Sequence, residues 1–243
     1  MGFMGFSFIA SGGYLLNDLL DLEADRMHHR KKKRPLAAGD ISIVTGIITM
    51  MVLFIAGSVI ALYLGPKLLL LYYVYLVLTI SYSFFFKKRI LVDVIVLAAL
   101  YTIRLFIGAE IIQVELSFWL LSFSAFIFFS LALVKRCTEL YSLPKENRTQ
   151  IKERNYLISD LSYLREMGIS SGFIATIIFA LYINSSDVLS LYSSPKILWF
   201  AIPLLFYWIS RIWLKTIRNE MHDDPIIFAL KDRTSLIILF SMA

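Results

Sequence analysis

The residues whose types and spacing could do chemistry lie near the start of the chain, in Asn17-Asp18-Leu19-Leu20-Asp21-Leu22-Glu23-Ala24-Asp25. Asp18, Asp21 and Asp25 are spaced i, i+3, i+7, which stacks three carboxylates on one face of a helix. Like charges so placed repel by roughly a few tenths of a kcal/mol per exposed pair, and by more where water is excluded, so a cation is expected among them. The ligands are hard oxygens with no Cys/His set beside them. That suits Mg²⁺ better than zinc, and Mg²⁺ commonly combines one or two carboxylates with substrate phosphates and water. Arg26, His28, Lys31, Arg34 and Pro35 follow directly, so a basic cluster lies beside the acidic face and the whole reads as a diphosphate-binding device. The competing reading is a solvated acidic helix end flanked by lysines that set topology.

The elements that must hold these residues are membrane helices. The 243 residues are 58% hydrophobic and only 17% charged, with a mean hydropathy of +0.73. A soluble domain is about a quarter charged and about 45–50% apolar, so a water-soluble globule is excluded, as are disorder and collagen-like repeats. Apolar runs of the length needed for spans fall at 1–17, 42–64, 68–86, 90–112, 117–134, 168–185 and 196–214, with a short last one at 234–243. The expectation is an all-α, polytopic membrane bundle of about eight spans. Twenty of the 24 Lys and Arg residues fall in alternate loops, at 26–34, 87–89, 135–165 and 215–233, while the opposite loops hold Lys67 and Lys196. The positive-inside rule makes the first set cytoplasmic. The net charge of +6 then marks a cytoplasmic membrane surface rather than a nucleic-acid footprint. Cys137, the single cysteine, has no internal disulfide partner. Met1 opens directly into an apolar run without the charged start of a signal peptide, and the last run is too short to cross the bilayer, so both ends look clipped.

The pattern Asn17-Asp18-x-x-Asp21-x-x-x-Asp25-Arg26-x-His28-x-x-Lys31-x-x-Arg34-Pro35 resembles the first aspartate-rich motif of the UbiA superfamily of intramembrane prenyltransferases. The resemblance implies a helical bundle, usually of nine spans, with a central cavity, a polyprenyl chain lying toward the lipid, and Mg²⁺ bridging a diphosphate to the aspartates. One departure is His29, where the family often has proline, which alters the loop's stiffness more than its ligands. Residues 1–243 then form a single UbiA-like domain, apparently lacking the first span and part of the last. Members acting on aromatic acceptors carry a second aspartate-rich repeat. The equivalent segment here is Leu133-Val134-Lys135-Arg136-Cys137-Thr138-Glu139-Leu140, with no such repeat. Its charge balance suits an anionic phosphate better than a second Mg²⁺. With Tyr101-Thr102-Ile103-Arg104 and the segment Asp224 to Arg233, it resembles the polyprenyl-phosphate phosphoribosyltransferase branch.

What that resemblance implies is Mg²⁺-dependent transfer of 5-phosphoribose from phosphoribosyl diphosphate to a polyprenyl phosphate such as decaprenyl phosphate. Asp18, Asp21 and Asp25 hold the metal, Lys31 and Arg34 bind diphosphate oxygens, and Asn17 orients the first Asp or ligates directly. Lys135, Arg136 and Arg104 position the second phosphate-bearing substrate, and Glu139 restrains those cations or contacts ribose hydroxyls. Arg104, in mid-span, costs roughly 2.5–3.5 kcal/mol unpaired; it is read as a phosphate clamp with Tyr101 one turn away, or else as a partner of Asp93 or Glu110. The long polar stretch from Lys145 to Arg165 reads as an amphipathic surface helix, and His222, Asp223, Asp224, Asp232 and Arg233 as a cytoplasmic cap or a charged connector. The Phe runs at 84–86 and 123–129 read as packing or lipid-facing surface, with one of them able to line a prenyl groove. The expected setting is multi-pass in the cell (inner or plasma) membrane, with a polyprenyl lipid and a diphosphate-bearing co-substrate as partners, no nucleic acid, and the site on the cytoplasmic face. Other readings are an aromatic prenyltransferase of the 4-hydroxybenzoate type, a transporter, or an inactive fragment.

Overall fold

The computed structural model describes the whole chain except residues 28–30, 143–149, 152–154, 186–187, 189–194, 222–223 and 243. Helices dominate: α1 (Gly2–Leu20), α2 (Leu22–Met27), α3 (Pro35–Ala38), α4 (Ile43–Leu64), α5 (Pro66–Phe84), α6 (Val92–Ile112), α7 (Phe118–Tyr141), α8 (Leu161–Ile183), α9 (Ala201–Ile217), α10 (Pro225–Lys231) and α11 (Arg233–Met242). Local signals set several starts. Ser42 and Ser117 accept the Thr45 and Leu120 amides at 3.1 Å each to cap α4 and α7, and Pro66 occupies the first turn of α5, where its missing N–H costs nothing.

Six segments of the described residues are long and apolar enough to cross a membrane: Ile43–Leu64, Pro66–Phe84, Val92–Ile112, Phe118–Tyr141, Ile158–Ile183 and Lys196–Ile217. The protein is therefore a multi-pass integral membrane protein. The other two expected spans fall short. Helix α1 is diluted by glycines, serines, Asn17 and Asp18, and the ten residues of α11 reach about 15 Å at 1.5 Å per residue. Lipid is what the apolar surface needs, since Val44, Ile48, Met51, Ile55, Val59 and Leu62 of α4 are all exposed.

The chain divides into two compact units, Met1–Phe86 with Ile103–Glu115, and Lys87–Thr102 with Leu116–Ala243, so α6 contributes to both. In the first unit α1 lies tightly on α4, and a Cβ at Gly57 would come within 2.9 Å of the Gly5 carbonyl oxygen. Only glycine permits that backbone approach. Tyr72 of α5 ties the start of α1 down by donating to the Gly2 carbonyl at 2.6 Å.

In the second unit α7 packs on α8 through a buried hydrogen-bond chain. Trp213 Nε1 donates to Ser130 Oγ at 3.1 Å, which donates to the Gly168 carbonyl at 2.7 Å. A side chain at Gly168 would strike the Trp213 ring. The amphipathic helix expected for 145–165 is not what forms among the described residues there. Gln150–Ile151 (β1) pairs antiparallel with Tyr156–Leu157 (β2), with Gln150 opposite Leu157, and α8 starts at Leu161 rather than near 168. Asn155 takes the left-handed turn conformation at φ 58°, and Tyr156 is buried completely, which anchors the hairpin.

Candidate functional site

The first unit gathers the acidic cluster. Helix α1 ends at Asp21 and α2 resumes at Leu22, yet the Asp21 amide still donates to the Asn17 carbonyl at 2.9 Å and the Asp25 amide to the Asp21 carbonyl at 2.8 Å. The turn thus continues through the break and keeps Asp18 and Asp25 on one side. Between them sits Arg34, brought back by the short segment of Lys31–Lys33 and the start of α3, whose Nη1 donates to Asp18 Oδ1 and to Asp25 Oδ2 at 2.7 Å each. Lys31 Nζ stands 3.9 Å from Asp25, whose side chain is 3% exposed, and Asn17 Oδ1 accepts from Ser83 Oγ at 3.3 Å. Arg104 lies in the same unit and donates to the Tyr75 hydroxyl at 3.4 Å. Glu110 pairs with Lys67 at 2.7 Å and Asp93 with Arg136.

The second unit gathers the other predicted residues. Arg136 has no exposed side-chain surface; its Nε lies 2.7 Å from Asp93 Oδ2 and its Nη1 donates to Glu139. Lys135 Nζ stands 3.5 Å from Asp224, which also caps α10 by accepting the Ile226 amide at 2.9 Å. Tyr101 stacks on Phe128, with ring centroids 5.4 Å apart. Arg136, expected to position the second substrate, is a fully buried guanidinium placed against two carboxylates.

Tyr156, which the sequence reading did not single out, joins this cluster, and Asp232, read as part of a cap or charged connector, pairs with Arg211 in the same unit. Tyr156 donates to Asp93 Oδ1 and accepts the Leu91 amide at 2.8 Å, and burial together with the Asp93 carboxylate pushes its phenol pKa up. Asp232 takes two hydrogen bonds from Arg211, at 2.6 and 2.9 Å, and these hold its pKa down at about 2. Neither pairing has a local sequence signal, since each partner lies on a distant element. His28, His29, Lys145, Arg148, Lys152, Arg154, His222 and Asp223 lie outside the described residues.

A family model for UbiA prenyltransferases matches residues 1–231. The chain belongs to the UbiA prenyltransferase family. It is 40% identical over 238 residues to the protein y4nM of Sinorhizobium fredii, covering 98% of this chain and 46% of that protein. It is 32% identical over 243 residues to the nodulation protein NoeC of Azorhizobium caulinodans, covering all of this chain and 79% of NoeC. The decaprenyl-phosphate phosphoribosyltransferase of Mycobacterium tuberculosis is 32% identical over 235 residues, 96% of this chain and 75% of that enzyme. The chain therefore spans about half the length of the Sinorhizobium relative and about three-quarters of the other two. In fold it is similar to the solved structure of a digeranylgeranylglyceryl phosphate synthase, with a TM-score of 0.67 at 17% identity, over 99% of this chain and 81% of that one. The family acts on polyprenyl lipids and diphosphate-type substrates.

Members of this family generally use a divalent metal, and the donor set tests whether the acidic cluster fits one. Among the described residues no three His, Cys, Asp or Glu side chains already converge as a cage. Asp18 Oδ1 and Asp25 Oδ2 share one nitrogen, so they cannot be further apart than twice 2.7 Å. Two carboxylates within reach of one cation are what a divalent metal that also binds substrate phosphates and water takes from a protein. The residues fit.

Proposed function

We propose that the protein transfers 5-phosphoribose from phosphoribosyl diphosphate to a polyprenyl phosphate, decaprenyl phosphate being the reference acceptor, at the cytoplasmic face and with Mg²⁺ as the metal. The observation that carries this reading is the second segment, where Lys135 and Arg136 stand in place of the second aspartate repeat expected of family members with aromatic acceptors. Of the two, Lys135 is the partly exposed cation that suits a lipid phosphate, and the likeness to decaprenyl-phosphate phosphoribosyltransferase over 96% of the chain supports the same choice.

Asp18, Asp21 and Asp25 would hold Mg²⁺, with Asn17, restrained by Ser83, orienting Asp18. When bound, the metal neutralises charge that accumulates on the departing diphosphate. Arg34 and Lys31 bind diphosphate oxygens, and Arg34 exchanges its two carboxylates for them. Lys135 binds the acceptor phosphate and Asp224 restrains that lysine; Arg104, with the Tyr75 hydroxyl beside it, is a phosphate-binding candidate of the first unit, and Tyr101 lies one turn away on α6. Arg136 and Glu139 position Lys135. The bond from ribose C1 to the diphosphate breaks and one from C1 to the lipid phosphate oxygen forms. That oxygen is already anionic, so no general base is required.

The test is a transfer assay on membranes containing the protein, with radiolabelled phosphoribosyl diphosphate, decaprenyl phosphate and Mg²⁺, read as label entering the lipid phase. Label that disappears with EDTA is expected. No label, while the same membranes prenylate 4-hydroxybenzoate from a polyprenyl diphosphate, overturns the reading in favour of an aromatic acceptor.

A further inference from the structure

The end of α9 that leads into the basic 215–233 segment carries a pocket with no part in the transfer as written above. It has a volume of about 360 Å³, and Tyr207, Arg211, Leu214, Lys215, Arg218 and Glu220 stand on its walls. Pockets of about 300–1,000 Å³ are the size that holds a small ligand. Residues 207, 211, 214, 215 and 218 share one face of the helix, while Trp208, Ile212 and Thr216 on the other side are buried in the core. Arg211 is fixed by Asp232 through its two hydrogen bonds of 2.6 and 2.9 Å. Lys215 Nζ lies 3.3 Å from the half-exposed Glu220 and 5.7 Å from the centre of the Phe228 ring. An ion pair as open to water as that of Lys215 and Glu220 is weak, so the lysine can take another anion at small cost. Arg218 is exposed and has no ion pair to a described residue. Three cations thus meet two carboxylates, and one positive charge is left for a ligand.

We propose that this pocket binds the headgroup of one anionic phospholipid, separate from the lipid acceptor of the transfer reaction. A phosphodiester carries a single negative charge, which is what the three cations and two carboxylates leave unbalanced. The other walls say why the anion comes with acyl chains. Tyr207 and Leu214 are about half exposed and belong to the span Lys196–Ile217, and Phe206 beside them is exposed to the same extent. A soluble anion gains nothing from such walls, whereas acyl chains lie along them while the phosphate takes the cations. Tyrosine suits this height, with its ring against the chains and its hydroxyl toward the headgroups, and the Arg and Lys stems carry their charges to the same level. The Lys and Arg distribution along the sequence puts this end of α9 on the cytoplasmic side, where anionic lipids collect and where basic pockets between helices take their headgroups. Occupancy also bears on the fold. Asp232 accepts the Ser235 amide at 2.8 Å at the start of α11, and Phe228 belongs to α10, so a headgroup on Arg211 and Lys215 braces both short helices against α9.

The test uses the full chain, purified in a neutral detergent and titrated with dioleoylphosphatidylglycerol or dioleoylphosphatidylcholine, with native mass spectrometry counting lipid bound per chain. Wild type is expected to hold one phosphatidylglycerol at least about tenfold more tightly than phosphatidylcholine. Lys215→Gln combined with Arg218→Gln removes two accessible cations and leaves the Arg211–Asp232 pair in place. That double variant is expected to weaken phosphatidylglycerol about tenfold and phosphatidylcholine by less than about twofold. Lys32→Gln combined with Lys33→Gln removes the same charge from an exposed site in the other unit and is expected to change neither. Should the first double variant fail to insert, Arg218→Gln alone serves, with an expected loss of about threefold. Equal binding of the two lipids by wild type, or equal loss in the two double variants, overturns the proposal. Displacement of phosphatidylglycerol by millimolar inorganic phosphate assigns the pocket to a soluble anion and overturns it as well. So does a preference for decaprenyl phosphate, which makes the pocket a second acceptor site. Every readout is binding, so the result stands whichever reaction the enzyme performs.

Discussion

Each unit places one arginine between two carboxylates, but the two arrangements differ in what they allow the arginine to do. Arg34 is shared by Asp18 and Asp25 with its side chain 38% exposed, whereas Arg136 is shared by Asp93 and Glu139 with none of its side chain exposed. An exposed guanidinium can leave for a phosphate and be replaced by a metal at small cost. A buried one cannot, because an uncompensated carboxylate in a dry interior is expensive. The first cluster is therefore built to exchange its cation and the second to keep it, which matches the metal-and-diphosphate part given to one and the positioning part given to the other.

The largest effect should come from removing a ligand of the exchanging cluster. Asp21→Asn or Asp25→Asn is expected to lower transfer at least about a hundredfold, the scale of losing a transition-state charge partner, while membrane fractionation shows normal insertion. Next is stability. Arg136→Met should cost about 3–5 kcal/mol in detergent unfolding, because Asp93 is left unpaired, and Arg34→Met less, because Lys31 remains 3.9 Å from the buried Asp25. Equal costs would break the comparison. Arg34→Ala sharpens it from the other side: with the competing cation gone, Mn²⁺ in the absence of substrate should bind about tenfold tighter, near 1.4 kcal/mol, as followed by electron paramagnetic resonance.

The smallest effect concerns Arg211 and Asp232. The folded pKa of Asp232, about 2, lies below its ordinary 3.8, so the stabilisation it brings is present above about pH 4 and is lost as the pH falls toward 2. The difference in thermal midpoint between wild type and Asp232→Asn should be constant from pH 7 to about pH 4.5 and shrink below that.

Much of this was legible in the sequence. The six apolar segments follow the hydropathy runs because lipid rewards length and composition alone, and the three aspartates announce themselves by helical spacing. The basic run behind them was expected to bind diphosphate, and its Arg34 is found on the carboxylates, which is the same electrostatic demand met by the nearest cation. What the sequence hid was long-range pairing. Asp93 reads as a lone carboxylate in the first turn of a span, and nothing near it reveals Arg136 or Tyr156 as partners. The long polar stretch from Lys145 to Arg165 reads as an amphipathic surface helix, but burial of Tyr156 and the left-handed Asn155 go with paired strands among its described residues. Helix α1 opens in an apolar run that reads as a span, and its glycines also serve close packing on α4.

The measurement that bears most directly on the division of labour is Mn²⁺ binding in the presence of phosphoribosyl diphosphate, compared between wild type, Asp25→Asn and Asp93→Asn. The account predicts that Asp25→Asn loses the bound-metal signal and that Asp93→Asn, in protein that inserts normally, keeps it within about threefold. Metal binding that survives Asp25→Asn, or that is lost equally in both variants, would contradict it.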